Sequence, residues 1–174
     1  MARQIMLIRE FWRWYERNYK LNLGIAAGLF LLQIIHLFWL FGEVVTMKLF
    51  GSPLFILHDA PKLIIILVDY TEIPALFAVS GVYINELRKS WQWKSALYLF
   101  FINSQWLHLF WITDEFILKT ITDASLVSLP LWFAWVAIAI DYLELPVIYD
   151  TLKRFRASLK KQDLVTALAK IKEE

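Results

Sequence analysis

The chain has 174 residues, 59% of them hydrophobic and 20% charged, with a net charge of +2 and a mean hydropathy of +0.52. That balance is too apolar for a soluble domain of this length, and so small a net charge gives no footing for nucleic acid. With no cysteine present, disulfides, thiolate metal sites and c-type haem attachment are excluded.

Segment 1–22 lacks the continuous apolar core and small-residue cleavage site of a signal peptide. Ile5, Ile8, Phe11, Trp12 and Tyr15 recur at helical spacing, with Arg9, Arg13 and Arg17 between them. The pattern predicts an amphipathic helix on the membrane surface. Four apolar stretches follow, at 23–47, 63–84, 96–118 and 126–149. At about 1.5 Å per residue, each is long enough to cross a hydrocarbon core of roughly 30 Å. The expected architecture is an all-α integral membrane protein, a bundle of four transmembrane helices in one domain over 1–174. The first helical hairpin occupies 23–95, the second 96–150, and a basic tail, expected to be helical, 151–174.

Lysine and arginine sort by segment. Residues 1–23 carry five, 84–95 three and 150–174 seven, against Lys48, Lys62 and Lys119 elsewhere: fifteen against three. The positive-inside rule then places both termini and the middle loop in the cytoplasm. The loops near 48–60 and 119–126 are expected on the outer side, and the tail beside anionic lipid.

Shifting the sequence by 72 residues aligns the two hairpins without a gap. Gln33, His36, Leu37, Phe38, Trp39 and Glu43 meet Gln105, His108, Leu109, Phe110, Trp111 and Glu115. Asp69, Tyr70, Glu72 and Pro74 then meet Asp141, Tyr142, Glu144 and Pro146. The shared residues are mostly those that lipid penalises, which points to duplication rather than coincidence. Two crossings per unit keep both copies in one orientation, so a pseudo-two-fold axis along the membrane normal is expected.

Seven acidic residues fall within the predicted spans: Glu43, Asp69, Glu72, Asp114, Glu115, Asp141 and Glu144. Each charged side chain at a helix centre costs roughly 2.5–3.5 kcal/mol on insertion scales. No lysine or arginine lies mid-span to offset them, so bound cations or protons must. Seven residues of α-helix bring His36 and Glu43 within about 20° of one another, and Asp69 and Glu72 share a face at i, i+3. Counted along the spans, His36 and Glu72 fall near mid-bilayer, with Asp69 roughly 4–5 Å and Glu43 roughly 10 Å further out.

Imidazole with carboxylate suits iron or manganese, with zinc a third choice. The expected cofactor is a pair of metal ions held by His36, Glu43, Asp69, Glu72, His108, Glu115, Asp141 and Glu144. Among these, Glu43 and Glu115 lie furthest out and suit bridging or lining the way in. Gln33 and Gln105 are expected to orient the imidazoles, and Tyr70 and Tyr142 to donate hydrogen bonds or pack. The ligand inventory is similar to that of the di-metal carboxylate four-helix bundles, a likeness of donor set only, since those use Glu-x-x-His. Pro74 and Pro146 each remove a backbone donor and are expected to kink the helix at the site.

Three functions compete. The leading one is a membrane di-metal oxidoreductase acting on a lipid, quinone or other apolar substrate, with a zinc-dependent hydrolase as its variant. The second is a transporter or channel for protons or divalent cations, assembled as a homo-oligomer. The third is a b-type cytochrome with His36 and His108 on one haem, which six carboxylates disfavour. The expected partners are the lipid bilayer and an apolar small molecule.

Overall fold

A computed structural model of the protein describes residues 2–118, 127 and 130–173. Among these the chain is all-helical, with no strand. Helix α1 (Ala2–Arg17) gives way at Asn18 to α2 (Tyr19–Trp39), which widens into a π-helical turn over Leu40–Val45 and continues as α3 (Thr46–Phe50). Gly51 ends α3 with φ 73°, a left-handed conformation natural to glycine, while its N–H bonds back to the Met47 carbonyl at 3.0 Å. Helices α4 (Asp59–Asp69) and α5 (Glu72–Lys89) return the chain.

Helix α6 (Trp93–Ile112) ends in a second π-helical turn, Thr113–Leu118, and α7 (Leu131–Tyr142) and α8 (Leu145–Glu173) lead back. The outer loop expected at 119–126, with Lys119, lies outside the described residues.

Three helical stretches are long and apolar enough to cross a membrane: Tyr19–Phe50, Ala60–Lys89 and Trp132–Lys160. Helix α6 has the length, at 20 residues, but Asn103, Ser104, Gln105 and His108 fall within six positions and make it more polar. The spans are longer than the apolar stretches alone indicate. The tail is no separate element either, since α8 runs unbroken from Leu145 to Glu173.

The helices pack in a ring. Helix α2 contacts α4, α5 and α8, α5 contacts α6, and α6 contacts α7 and α8. Two apolar cores fill the ring. One gathers Phe30, Leu76, Val79, Ile102 and Val147, and the other Trp39, Leu40, Ile66, Trp111, Ile112 and Ile138. The outer surface is also apolar, with Phe38, Phe77, Phe100, Trp132 and Tyr149 all more than 60% exposed. Exposed aromatics outside a filled core are what a lipid solvent permits and water penalises.

Helix α1 is not solely a surface helix. Its outer face exposes Met6, Leu7, Ile8, Phe11 and Trp14, as an amphipathic helix should. Its inner face grips α5: Tyr15 is buried and donates its hydroxyl to the Ala78 carbonyl at 2.8 Å, and Lys89 pairs with Glu16 at 2.9 Å. Burial also pushes the Tyr15 hydroxyl above its ordinary pKa.

The prolines begin helices instead of kinking them. The chain breaks at Tyr70–Thr71 and again at Leu143, so that Pro74 is the third residue of α5 and Pro146 the second of α8. A helix leaves its first N–H groups without an intrahelical partner, so a missing donor there costs little. The Tyr70 carbonyl, four residues before Pro74, accepts from the Ile73 N–H at 3.3 Å.

Candidate metal centre

His36 and His108 stand near the C-terminal ends of α2 and α6, just before the π-helical turns, both 0% exposed. Each ring is oriented by main chain from the neighbouring helix: His36 Nδ1 lies 3.3 Å from the Ile65 carbonyl oxygen and His108 Nδ1 3.2 Å from that of Ala137. A carbonyl oxygen can only accept, so each Nδ1 carries a proton and each Nε2 is turned inward. The glutamines set the same register. Gln33 Nε2 donates to the Val68 carbonyl at 3.1 Å and Gln105 Nε2 to that of Ile140 at 3.1 Å. The four contacts form two pairs related by an offset of 72 residues.

Asp69 and Asp141, the last and next-to-last residues of α4 and α7, meet the two rings. His36 Nδ1 is 2.8 Å from Asp69 Oδ1, and His36 Nε2 is 3.7 Å from Asp141 Oδ2. His108 Nε2 is 3.3 Å from Asp69 Oδ2 and 4.0 Å from Asp141 Oδ1. The ring centroids stand 6.0 Å apart at 81°. His36, Asp69 and His108 each offer a ligand atom within 4.8 Å of the others, a group that could hold a metal ion. Trp39 and Trp111 wall the layer, with centroids 5.3 Å and 5.8 Å from the neighbouring imidazoles and both tilted by 59°.

Added protons or a further cation must complete the hydrogen bonding in this layer. Both nitrogens of His108 face acceptors, Ala137 O and Asp69 Oδ2, and a neutral imidazole has one proton for the two. His36 Nε2, Asp141 Oδ2, Glu72 Oε1 and both carboxyl oxygens of Glu144 are buried with no hydrogen-bond partner among the described residues. Each orphaned buried polar atom costs about 1–3 kcal/mol. A cation between these donors would satisfy several at once.

Glu72 and Glu144 form a separate layer. The pairs Gln33 with Val68 and His36 with Ile65 put Glu72 seven residues beyond the level of His36, roughly 10 Å along the helix. Depth counted from apolar boundaries placed them level, because such boundaries do not fix how adjacent helices slide. Both glutamates are buried, at 1% and 0% exposure, and close enough to interact with each other and with Asp141.

The structure does not bring Glu43 to this group. Glu43 sits in the π-helical turn, whose wider winding removes it from the His36 face. Its carboxylate instead accepts from Trp39 Nε1 at 2.8 Å, the Leu57 N–H at 2.9 Å and Lys62 Nζ at 2.9 Å. Its counterpart Glu115 lies half-buried in the second π-helical turn, beside the buried Asp114. Gln33 and Gln105 direct their hydrogen bonds to main-chain carbonyls of the neighbouring helices, and carbonyls also face the imidazoles; a carbonyl leaves no signature in sequence. Tyr70 and Tyr142 link the halves, Tyr70 hydroxyl to Thr113 Oγ1 at 2.7 Å and Tyr142 hydroxyl donating to Leu37 O at 3.4 Å.

One polar cluster has no counterpart in the sequence reading. At the α1 end of the ring, Arg154 pairs with Glu86 and, at 2.5 Å, with Asp150. Asp150 also takes Lys94 at 2.5 Å and the Tyr83 hydroxyl at 3.2 Å, and Ser95 donates to Glu86 at 2.7 Å. These charges neutralise one another and clamp α5, α6 and α8 together. Asp150 and Arg154 are one helical turn apart, but their partners Lys94 and Glu86 lie 56 and 68 residues away and leave no local pattern.

No family model matches the chain, nor does any curated protein or solved structure.

Proposed function

We propose that the protein is a four-span membrane bundle built from two duplicated hairpins, and that it holds a His/carboxylate di-metal centre serving an oxidoreductase of apolar substrates. The observation that carries the reading is the shared orientation of the two histidines. Both Nδ1 groups lie within hydrogen-bond reach of a backbone carbonyl, His36 Nδ1 also standing 2.8 Å from Asp69 Oδ1, while His36 Nε2 faces Asp141 at 3.7 Å and His108 Nε2 faces Asp69 at 3.3 Å. That is how a protein presents imidazole to a metal, with the tautomer fixed from behind.

His36, His108, Asp69 and Asp141 would hold one ion, with Glu72 and Glu144 supplying oxygen donors for a second. Nitrogen and carboxylate donors without thiolate suit iron or manganese, with zinc next. Such ions would supply redox or Lewis-acid chemistry. The chain's own part is to fix the donors, to keep water out with Trp39, Trp111 and the two apolar cores, and to admit a substrate that dissolves in the bilayer. The recurrence of Gln, His, Asp and carbonyl contacts at an offset of 72 residues supports the duplication.

A transport reading places Glu43 on a conduction path above Asp69. Its engagement with Lys62, Trp39 and Leu57 favours a closed centre instead. Elemental analysis of the protein purified in detergent tests the proposal. The expected result is about two iron or manganese ions per chain, lost in the His36→Ala/His108→Ala variant. Absence of stoichiometric metal, together with cation flux in liposomes, would replace it with the transport reading.

A further inference from the structure

The basic residues of α8 are sorted by what faces them. Arg154 points into the ring and is neutralised by Glu86 and Asp150. Lys153, Arg156 and Lys160 point outward, and among the described residues none makes an ion pair or hydrogen bond. With Tyr149, Leu152 and Ala157 they line a shallow groove of about 470 Å³ that contains no acidic side chain. Positions 149, 153, 156 and 160 fall within about 60° on a helix and extend over roughly 16 Å, so the cations form one stripe on one face.

The stripe lies where a bilayer boundary belongs. The apolar run of this helix gives way after Tyr149 to a charged segment that carries Asp150, Lys153, Arg154, Arg156 and Lys160. Tyr149 is 69% exposed, as interfacial aromatics are, and Leu152 supplies apolar surface beside it. Three other cations at this end are occupied: Lys94 pairs with Asp150, Lys89 with Glu16, and Arg88 lies 4.2 Å above the Trp12 ring. A second shallow groove, on α1, joins Arg13 and Arg17 but includes Glu10, which cancels part of its field.

We propose that the Lys153–Arg156–Lys160 face of α8 is a binding site for the headgroup of an anionic phospholipid in the adjacent leaflet. The phosphodiester would sit among the three cations, with Tyr149 and Leu152 against the first carbons of the acyl chains. Basic residues at a membrane boundary each strengthen attachment to anionic lipid several-fold. The site is independent of the metal centre, so the two stand or fall separately.

Native mass spectrometry of the detergent-solubilised full chain tests this, with phosphatidylglycerol, phosphatidylcholine and inorganic phosphate as probes. Wild type should retain phosphatidylglycerol through detergent exchange in preference to phosphatidylcholine. Lys153→Gln/Arg156→Gln/Lys160→Gln should weaken retention on the order of 100-fold, while Lys153→Arg/Lys160→Arg should keep it. An unchanged thermal melt of the glutamine variant, expected because these side chains make no ion pair or hydrogen bond among the described residues, shows that it folds. Equal retention of both lipids, or undiminished phosphatidylglycerol on the folded glutamine variant, would overturn the proposal. Inorganic phosphate displacing the lipid at comparable concentration would do the same, by showing a phosphate site in place of a lipid one.

Discussion

On the proposed reading, removing the metal should cost the protein stability by an amount the centre itself sets. Five buried atoms of His36, Glu72, Asp141 and Glu144 have no partner among the described residues. At about 1–3 kcal/mol each, an ion that satisfies even two of them offsets roughly 2–6 kcal/mol. Linkage gives a compatible figure: an ion present at a hundred times its Kd stabilises the folded state by about 2.7 kcal/mol. For a chain of this size, 1 kcal/mol moves the midpoint by roughly 2–4 °C. Metal-stripped protein titrated with Fe(II) or Mn(II) should therefore melt about 5–11 °C higher, read by differential scanning fluorimetry in detergent under anaerobic conditions. The His36→Ala/His108→Ala variant should move by less than about 1 °C. A wild-type shift near zero, or an equal shift in the double variant, would refute the assignment of these orphaned atoms to a cation.

Glu43→Gln separates the sequence reading of that residue from the structural one. It removes the charge facing Lys62 and weakens the hold on Trp39 and Leu57. The expected outcome is a loss of about 1–3 kcal/mol in denaturant titration with metal content unchanged; a fall in bound metal would return Glu43 to the centre. Gly81→Ala tests how α1 is held. A Cβ there would stand 2.8 Å from the Tyr15 ring, whose hydroxyl is anchored on Ala78. Displacing the ring should speed tryptic cleavage at Arg13 and Arg17 severalfold, and an unchanged cleavage rate would show that α1 is held by other contacts.

Much of the centre was legible in the sequence because lipid makes polar residues conspicuous. Gln33, His36, Asp69 and Glu72, with their counterparts at an offset of 72 residues, stand out against apolar neighbours, and each is buried as expected. Glu43 misled because the reading assumed an unbroken α-helix from His36. A π-helical turn has no dependable residue pattern, and here it follows directly after Trp39. The prolines misled in the opposite sense: the missing N–H is a local fact, but whether it interrupts a helix or opens one depends on where the chain has already broken.

Composition alone determined that the protein is helical, that its surface is apolar, and which side chains are too polar to face lipid. Each is a property of single residues or of spacing along one helix. Tertiary structure decided which of these side chains meet. It set His36 against Asp69 and beside His108, moved Glu72 and Glu144 to their own layer, and gave Glu43 to Lys62. It also turned Arg154 inward onto Glu86 and Asp150 while leaving Lys153, Arg156 and Lys160 facing out. The physical reason is that helices slide and rotate against one another at little local cost. Their register is fixed only by contacts between helices, here Gln33 on the Val68 carbonyl and Gln105 on that of Ile140.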